Sequence, residues 1–181
     1  MHAPARLIRN AGIAAIGIIA GVAYARARKT ALKASMVLHG DWEGQLTAEH
    51  AAVKRLLKAM TGSEVGEAVK RVALLDNVAS ALTRHAVEEE NVIYPALREA
   101  GADVDILYAE HTRMKTLIAQ LKDLSPDDPE WSAKAKALKT LVYAHVRKEE
   151  TQFFPLLHDS AEAPETDKLT KLVRRQGAKV G

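Results

Sequence analysis

The sequence contains no cysteine and few aromatic, glycine or proline residues. Its 181 residues include 2 Trp, 4 Tyr, 2 Phe, 10 Gly and 6 Pro. The absence of cysteine excludes disulfide bonds, thiolate zinc sites, iron–sulfur clusters and cysteine nucleophiles, so a bound metal must use nitrogen and oxygen ligands. The scarcity of aromatic residues, Gly and Pro argues against a sandwich of many short strands. We therefore expect helices.

The composition is that of one folded domain with an uneven distribution of charge. Apolar residues make up 48% of the chain and charged residues 27%, which is enough for a core and argues against disorder. Residues 1–40 hold six Lys and Arg and no acid, whereas residues 41–158 hold 15 bases and 19 acids. Because this second part has no basic run interleaved with aromatic residues, we expect no nucleic-acid partner.

Residues 1–40 form an apolar and basic segment. Ala11 to Ala25 is a run of 15 uncharged, mostly apolar residues with basic residues on both sides. We predict an additional N-terminal apolar helix here, which anchors the chain in a membrane or associates with its surface. A helix of this length is only about 22 Å long against a hydrocarbon core of about 30 Å, so its flanks would have to reach the interface.

Residues 11–25 have two other interpretations. Residues 23–25 (Ala-Tyr-Ala) have the form of a signal-peptide cleavage site, and a soluble helix or an oligomer contact is the third reading. Gly17 and Gly21 form a small-xxx-small pair that is compatible with a homodimer. More positive charge follows the segment than precedes it, so an uncleaved anchor leaves the rest of the chain in the cytoplasm. We expect the cytoplasmic face of the membrane or the cytoplasm as the location.

Residues 41–158 contain four amphipathic patterns with apolar spacings of three and four residues. Capping residues, glycines and prolines mark their limits: Asp41 and Gly62, Ser63 and Gly101 with a kink at Pro95, Asp103 and Ser125, and Asp128-Pro129 with a kink at Pro155. The fourth pattern is expected to turn Leu138, Leu141 and Leu156 inward. Because the connections are short, we predict an all-α fold, an antiparallel up-down-up-down four-helix bundle.

Residues 159–181 follow the predicted bundle as a basic tail. They could form a short basic amphipathic helix, but a solvated tail is the simpler expectation. The basic and apolar residues of this tail are Lys168, Lys171, Arg174, Arg175 and Lys179 beside Leu169, Leu172 and Val173.

The bundle sequence contains an internal repeat. Three motifs recur 60 or 61 residues later: Ala48-Glu49-His50 as Ala109-Glu110-His111, His85-x-x-x-Glu89-Glu90 as His145-x-x-x-Glu149-Glu150, and Tyr94-Pro95-x-Leu97 as Phe154-Pro155-x-Leu157. Two helical hairpins related by a pseudo-twofold axis would place the repeated residues opposite each other.

Each predicted helix carries one histidine at a core position. These histidines follow or precede apolar residues by three, four or seven positions and therefore point inward: His50, His85, His111 and His145. Glu89 and Glu149 lie one turn beyond His85 and His145 on the same stripes. The sequence thus predicts that four imidazoles and two carboxylates converge in one apolar interior. The other histidines, His2, His39 and His158, are assigned to the surface.

The predicted convergence indicates a metal site. A lone core histidine usually satisfies a backbone carbonyl, but two buried carboxylates without positive partners would cost several kcal/mol each or take up protons. A cation removes this cost. Nitrogen and oxygen ligands without sulfur suit first-row transition metals, and carboxylates from facing helices can bridge two ions about 3.5–4 Å apart.

The order of these residues resembles the hemerythrin HHE cation-binding family. The resemblance covers about residues 41–158 and rests on the six predicted ligands and on the Tyr/Phe-Pro-x-Leu motif after each glutamate. It implies two iron ions in an oxo- or hydroxo-bridged non-heme centre with Glu89 and Glu149 as bridges, and other divalent metals are an alternative. Oxygen-carrying members have a fifth histidine one turn after the third-helix histidine, where this chain has Lys115.

The four-His, two-Glu set is similar to that of hemerythrin-like proteins associated with nitric oxide and oxidative stress. The resemblance implies a protein that binds or reduces O₂, peroxide or NO in oxidative or nitrosative stress or in iron homeostasis. If it is an enzyme, it is a peroxide- or O₂/NO-consuming di-iron oxidoreductase. The alternatives are a metal-stapled iron-responsive or interaction module without redox turnover, and a zinc-filled or iron-storing bundle.

Four further residues lie near the predicted ligands. We expect Lys115 to extend outward and not toward the metal. Glu90 and Glu150 are either partners of the histidines or residues of solvated salt bridges. Tyr108 is expected to pack in the core.

Overall fold

The computed structural model describes residues 40–180, apart from the side chains of residues 163 and 164. Every regular element in this range is helical, as predicted: α1 (Trp42–Thr61), α2 (Ala68–Glu88), α3 (Tyr94–Glu99), α4 (Asp105–Asp123), α5 (Pro129–Lys148), α6 (Phe154–Ser160) and α7 (Ala163–Val180). Two π-helical turns, Glu89–Ile93 and Glu149–Phe153, join α2 to α3 and α5 to α6. Among these helices there is none long and apolar enough to cross a membrane. The apolar helix predicted at residues 11–25 lies outside the described residues.

The four long helices enclose a common interior. Helix α1 packs against α2 and α5, and α4 packs against α5 and α2, so each long helix contacts two others. The buried apolar residues form two clusters. Leu46 of α1 and Leu107 of α4 belong to the first, and Val53 of α1 and Met114 of α4 belong to the second. The predicted ligand histidine of each of these helices lies between the two clusters along the chain.

Side-chain caps fix where two of the long helices begin. Asp41 accepts a hydrogen bond from the Gly44 N–H at 2.9 Å, and Asp128 accepts one from the Glu130 N–H at 2.7 Å, with Pro129 in the first turn. Both caps agree with the sequence analysis. Each cap satisfies an N–H donor that the helix cannot satisfy itself and so fixes the residue at which the helix begins.

Each predicted proline kink takes the form of a wider turn directly before the proline. The Tyr94 N–H donates to the Glu89 carbonyl five residues earlier, and the second π-helical turn repeats this bond. Pro95 has no N–H to offer the next carbonyl. That carbonyl, of Glu90, instead accepts the Tyr108 hydroxyl at 3.3 Å. The helix therefore continues through the proline, with its register changed.

This change of register corrects one predicted core position. Leu156 was expected to face inward, but it is 41% exposed, whereas the next residue, Leu157, is 3% exposed. The prediction assumed 3.6 residues per turn throughout, and the π-helical turn adds a residue to the turn between Glu149 and Phe154. Leu97 is the matching residue of the first repeat and is fully buried.

The segment after residue 162 is a helix docked on the bundle, which corrects the expectation of a solvated tail. Helix α7 packs against α2, the first π-helical turn and α1. Leu169 and Val173 are buried in the first apolar cluster. The Trp42 N–H donates to Thr170 Oγ1 at 3.0 Å, a bond that ties α7 to the start of α1. The apolar spacing of the tail was sufficient to form a continuous buried face.

Gly177 of α7 lies directly against Glu88 of α2. A Cβ atom at this position would lie 1.9 Å from Glu88 Oε1. Glu88 is 1% exposed and accepts a hydrogen bond from Gln45 Nε2 at 3.2 Å. The lack of a side chain at residue 177 thus leaves the space that this buried carboxylate occupies.

The change of register predicts different costs for two adjacent leucines. Leu157→Ala should lower the free energy of unfolding by about 2–4 kcal/mol because it opens a cavity in the first apolar cluster. Leu156→Ala should cost under about 1 kcal/mol because its side chain is largely exposed. Urea unfolding of both variants measures the difference. Equal costs would contradict the register described here.

Candidate metal centre

The six predicted ligands are all buried in the layer between the two apolar clusters. One histidine comes from each long helix, and each glutamate is the first residue of a π-helical turn. None is more than 3% exposed: His50, His85, Glu89, His111, His145 and Glu149. The structure thus brings together the whole set that the sequence analysis selected.

The ligand atoms form two groups that share both glutamates. His50, His85, Glu89 and Glu149 each offer an atom within 4.8 Å of the others, and Glu89 and Glu149 do the same with His111 and His145. The ring Nε2 atoms of His85 and His145 each lie 3.1 Å from Oε1 of the glutamate four residues on. The opposite carboxylate oxygens lie 3.2 Å from His50 Nε2 and 3.4 Å from His111 Nε2.

A second layer of four glutamates holds the outer nitrogen of every imidazole. The Nδ1 to Oε distances are 2.9–3.0 Å for four pairs: His50 with Glu150, His85 with Glu49, His111 with Glu90 and His145 with Glu110. Such carboxylate–histidine contacts fix the orientation and the tautomer of metal-binding imidazoles.

Each outer glutamate is in turn paired with a basic residue at the edge of the bundle: Glu150 with Lys54, Glu49 with Arg84, Glu90 with Lys115 and Glu110 with Lys148. Hydrogen bonding by the histidine lowers the pKa of Glu90 and of Glu150. Burial alone would raise the pKa of Glu49 and of Glu110. His85 with Arg84 outweighs burial at Glu49, and Lys148 with His145 outweighs it at Glu110, so both pKa values are lowered. All four are therefore carboxylates at neutral pH and act only as acceptors.

The outer carboxylates determine what the imidazoles present to the interior. A carboxylate can only accept, so each Nδ1 must donate, and the Nε2 of a neutral ring then carries a lone pair. Four such lone pairs face the oxygens of Glu89 and Glu149. Within the described residues, buried polar atoms without a hydrogen-bond partner include Nε2 of His50 and His85, Oε1 of Glu89 and Oε2 of Glu149. Hydrogen-bond acceptors that face each other need protons or cations between them. Imidazole nitrogens and carboxylate oxygens are ligands that suit metal ions.

Without metal, protons take the place of the cations. Burial opposes charge on these rings, but the surrounding glutamates outweigh it and raise the pKa of His50 and of His111 to about 9. The pKa of His85 is also raised well above its usual value by Glu89 and Glu49, against the effect of burial. Burial would raise the pKa of Glu89, but the nearby histidines hold it well below the ordinary range. The metal-free centre is therefore a buried cluster of imidazolium and carboxylate groups.

Tyr94 belongs to the centre, although the sequence analysis treated it only as part of a repeat motif. Its hydroxyl donates to Glu149 Oε1 at 2.6 Å and lies 3.2 Å from His111 Nε2. Burial and the nearby carboxylates raise its pKa well above 10, so the phenol keeps its proton. Phe154, the equivalent residue of the second repeat, instead stacks on His50 with ring centroids 5.8 Å apart. The replacement of Phe by Tyr in an otherwise repeated motif was the available signal.

Most of the other residues near the predicted ligands lie where the sequence predicted. Lys115 is 59% exposed and extends outward, as expected, to Glu90. Glu90 and Glu150 contact the histidines and also form salt bridges, so the two alternatives apply together. Tyr108 packs edge-on against Tyr94, as expected for a core residue. His158 is exposed, whereas His2 and His39 lie outside the described residues.

The sequence pattern did not predict that Glu49 and Glu110 contact the ligand histidines. Both precede a ligand histidine directly, in the repeated Ala-Glu-His motif, so they lie off the inward stripe of their own helix. They reach across to the histidine of the neighbouring helix. Their appearance in both repeats was the signal that could have identified them.

A cavity of about 30 Å³ adjoins all four imidazoles. A buried water requires roughly 10–15 Å³ by this measure, so the space suits a ligand of about two non-hydrogen atoms. Besides the imidazoles, Thr83 and Lys115 are its polar lining residues, and the remaining lining is apolar: Val53, Leu82, Ala86, Met114, Ile118, Val142 and Val146.

The fold and the site define a helical protein with a buried His/Glu cluster able to hold metal ions. The sequence model of the hemerythrin HHE cation binding domain matches residues 44–157, more than half of the chain. The chain belongs to this family.

Two known proteins are similar to parts of the chain. The crystal structure of a hemerythrin HHE cation binding domain-containing protein from Mycobacterium kansasii aligns with a TM-score of 0.68 and 22% identity, over 77% of this chain and 86% of that one. This likeness shows the fold alone. A protein from Nostoc sp. (strain PCC 7120) named DNA nickase is 36% identical over 88 residues, which are 48% of this chain and 25% of that protein. The chain thus matches about a quarter of the length of this relative.

The raised histidine pKa values predict how the metal-free protein responds to pH. A histidine pKa that is higher in the folded than in the unfolded state stabilises the fold below pH 6.5, and this contribution is lost as pH rises to about 9. The unfolding temperature in chelator should therefore fall between these pH values. Bound metal requires unprotonated rings, so metal-loaded protein should not show the fall. Thermal unfolding with and without chelator measures both, and a flat chelator profile would contradict the prediction.

Proposed function

We propose that the chain is a non-heme di-iron protein that binds or reduces O₂, peroxide or NO in oxidative or nitrosative stress or in iron homeostasis. The observation that carries the proposal is the inward-facing set of four Nε2 atoms and two shared carboxylates beside a small, mostly apolar cavity. Nitrogen and oxygen donors of this kind suit iron, and carboxylates shared between two ligand groups suit a pair of ions.

The division of the ligands supports two metal positions. His50 and His85 would hold one iron, His111 and His145 the other, and Glu89 and Glu149 both. Iron held in this way supplies one-electron redox chemistry and affinity for O₂, peroxide and NO.

The residues around the predicted ligands favour the binding of small uncharged molecules. Lys115 turns away to Glu90 at 3.0 Å and contributes no ligand at the position where oxygen-carrying relatives have a fifth histidine. The apolar side chains of the cavity limit the entry of water. Tyr94 keeps the proton on its Oη atom and donates a hydrogen bond to Glu149 Oε1, so it would influence the charge of this shared carboxylate without lining the cavity.

Metal content, optical spectrum and peroxide consumption test the proposal together. Protein grown with ample iron should contain about two iron ions per chain, and its visible spectrum should change with azide, NO or O₂. The iron form should also consume peroxide. A single bound zinc ion would contradict the proposal and favour the storage alternative. A fold that requires metal, with a spectrum that does not change with azide, NO or O₂, would also contradict it and favour the interaction alternative.

His85→Ala and His158→Ala form a matched pair for this test. His85→Ala removes an inward nitrogen together with its contacts to Glu49 and Glu89, so iron content and unfolding temperature should fall together. His158 is 57% exposed and its replacement should change neither.

Tyr94→Phe should separate the chemistry of the centre from its assembly. Phe154 occupies the equivalent position of the second repeat, so a phenylalanine should fit, at a cost near the ~1 kcal/mol of one hydrogen bond. We expect unchanged iron content and slower peroxide consumption, measured by steady-state rates and metal analysis. Tyr108→Phe is the control, because its hydroxyl bonds to the Glu90 carbonyl outside the ligand layer. Equal rates in both variants would exclude the proposed role of Tyr94.

A further inference from the structure

Basic and acidic residues occupy different parts of the sequence. Residues 1–40 hold six Lys and Arg and no acid, and residues 168–181 hold five and no acid. All 23 acidic residues lie in residues 41–167, together with 15 basic ones, which gives this part a formal charge of −8. The two basic stretches together carry +11.

The described residues place the start of α1 beside α7. Arg174 of α7 donates to the Gly40 carbonyl at 2.7 Å, and Thr170 accepts the Trp42 N–H. The chain therefore enters α1 beside α7. The basic residues of α7 thus belong to the helix that packs beside the start of α1.

The exposed face of α7 is a basic stripe. Lys168, Lys171, Arg175 and Lys179 are exposed and follow each other at spacings of three, four and four residues, so they share one side of the helix. The opposite side is buried against the bundle through Leu169 and Val173, so it is not available to a partner. Lys168 contacts Glu165 at 3.1 Å, but both are exposed and such a pair contributes little.

We propose that this stripe, defined as Lys168, Lys171, Arg175 and Lys179, binds the surface of an anionic lipid bilayer. A basic helix face gains from the negative potential of such a surface, whereas the acidic remainder of the bundle is repelled by it, so this side of the described residues is the favourable one. Stable membrane attachment requires two signals. The stripe would provide one, and the 15-residue apolar run of residues 11–25 is predicted to provide the other.

A nucleic-acid partner fits the same charges less well. Residues 163–181 contain no aromatic residue that could stack on bases. An uncharged apolar run on the same chain has no use in phosphate binding, whereas it complements a bilayer. This inference does not depend on the identity of the metal or on turnover, because none of the stripe residues contacts the ligand layer.

Vesicle sedimentation of the full chain tests the proposal. The protein should bind vesicles of phosphatidylcholine and phosphatidylglycerol more tightly than vesicles of phosphatidylcholine alone, and high salt should reduce the difference. Replacing all four stripe residues by Gln (K168Q, K171Q, R175Q and K179Q) should weaken binding to the anionic vesicles by at least about tenfold. The exposed positions of these side chains should leave the unfolding temperature almost unchanged.

A matched variant removes the same charge from the acidic part of the bundle: K58Q, K70Q, K122Q and K136Q, all at exposed positions. It should bind anionic vesicles at least as well as the original chain. Equal loss in the two fourfold variants would overturn the proposal, as would equal binding to both kinds of vesicle. Salt-sensitive binding to a DNA duplex without binding to anionic vesicles would overturn it too and would assign the stripe to nucleic acid.

Discussion

The contact between a carboxylate and the outer nitrogen of each imidazole is the interaction on which the centre depends. It makes Nδ1 the donor in every ring, and Nε2 is then left to face the shared glutamates. The four outer glutamates are themselves kept ionised by these same histidines together with basic residues at the bundle edge. A neutral ring with the opposite tautomer would place its proton against the interior. The outer glutamates thus determine which form of each imidazole faces the interior, although they are not among the predicted ligands.

The π-helical turns serve the same arrangement through backbone geometry. Each begins at a shared glutamate and ends directly before the residue that precedes a proline. The wider turn lets a helix present the glutamate on the histidine stripe and still bury the next leucine of the repeat, Leu97 or Leu157. Such turns are frequent at functional sites, where a regular helix cannot satisfy both requirements.

The sequence predicted the helices and the inward residues because both follow from a period of 3.6 residues. His50 and His111 lie between core leucines and core residues of the second cluster, and no other face of their helices was apolar. The same assumption failed where the period changed, and Leu156 was therefore misplaced. Glu49 and Glu110 depend on the crossing of two helices, which periodicity within one helix does not describe. The role of Tyr94 could not be predicted because it depends on which residues of the motif face the interior after the π-helical turn.

Gly177 brings the C-terminal helix into contact with a residue next to the ligand layer. Any larger residue there would force the Glu88 carboxylate out of its contact with Gln45, or lift α7 from α2. Glu88 immediately precedes Glu89, the first shared carboxylate. A side chain at residue 177 would thus act one residue away from a ligand layer that residue 177 itself does not line.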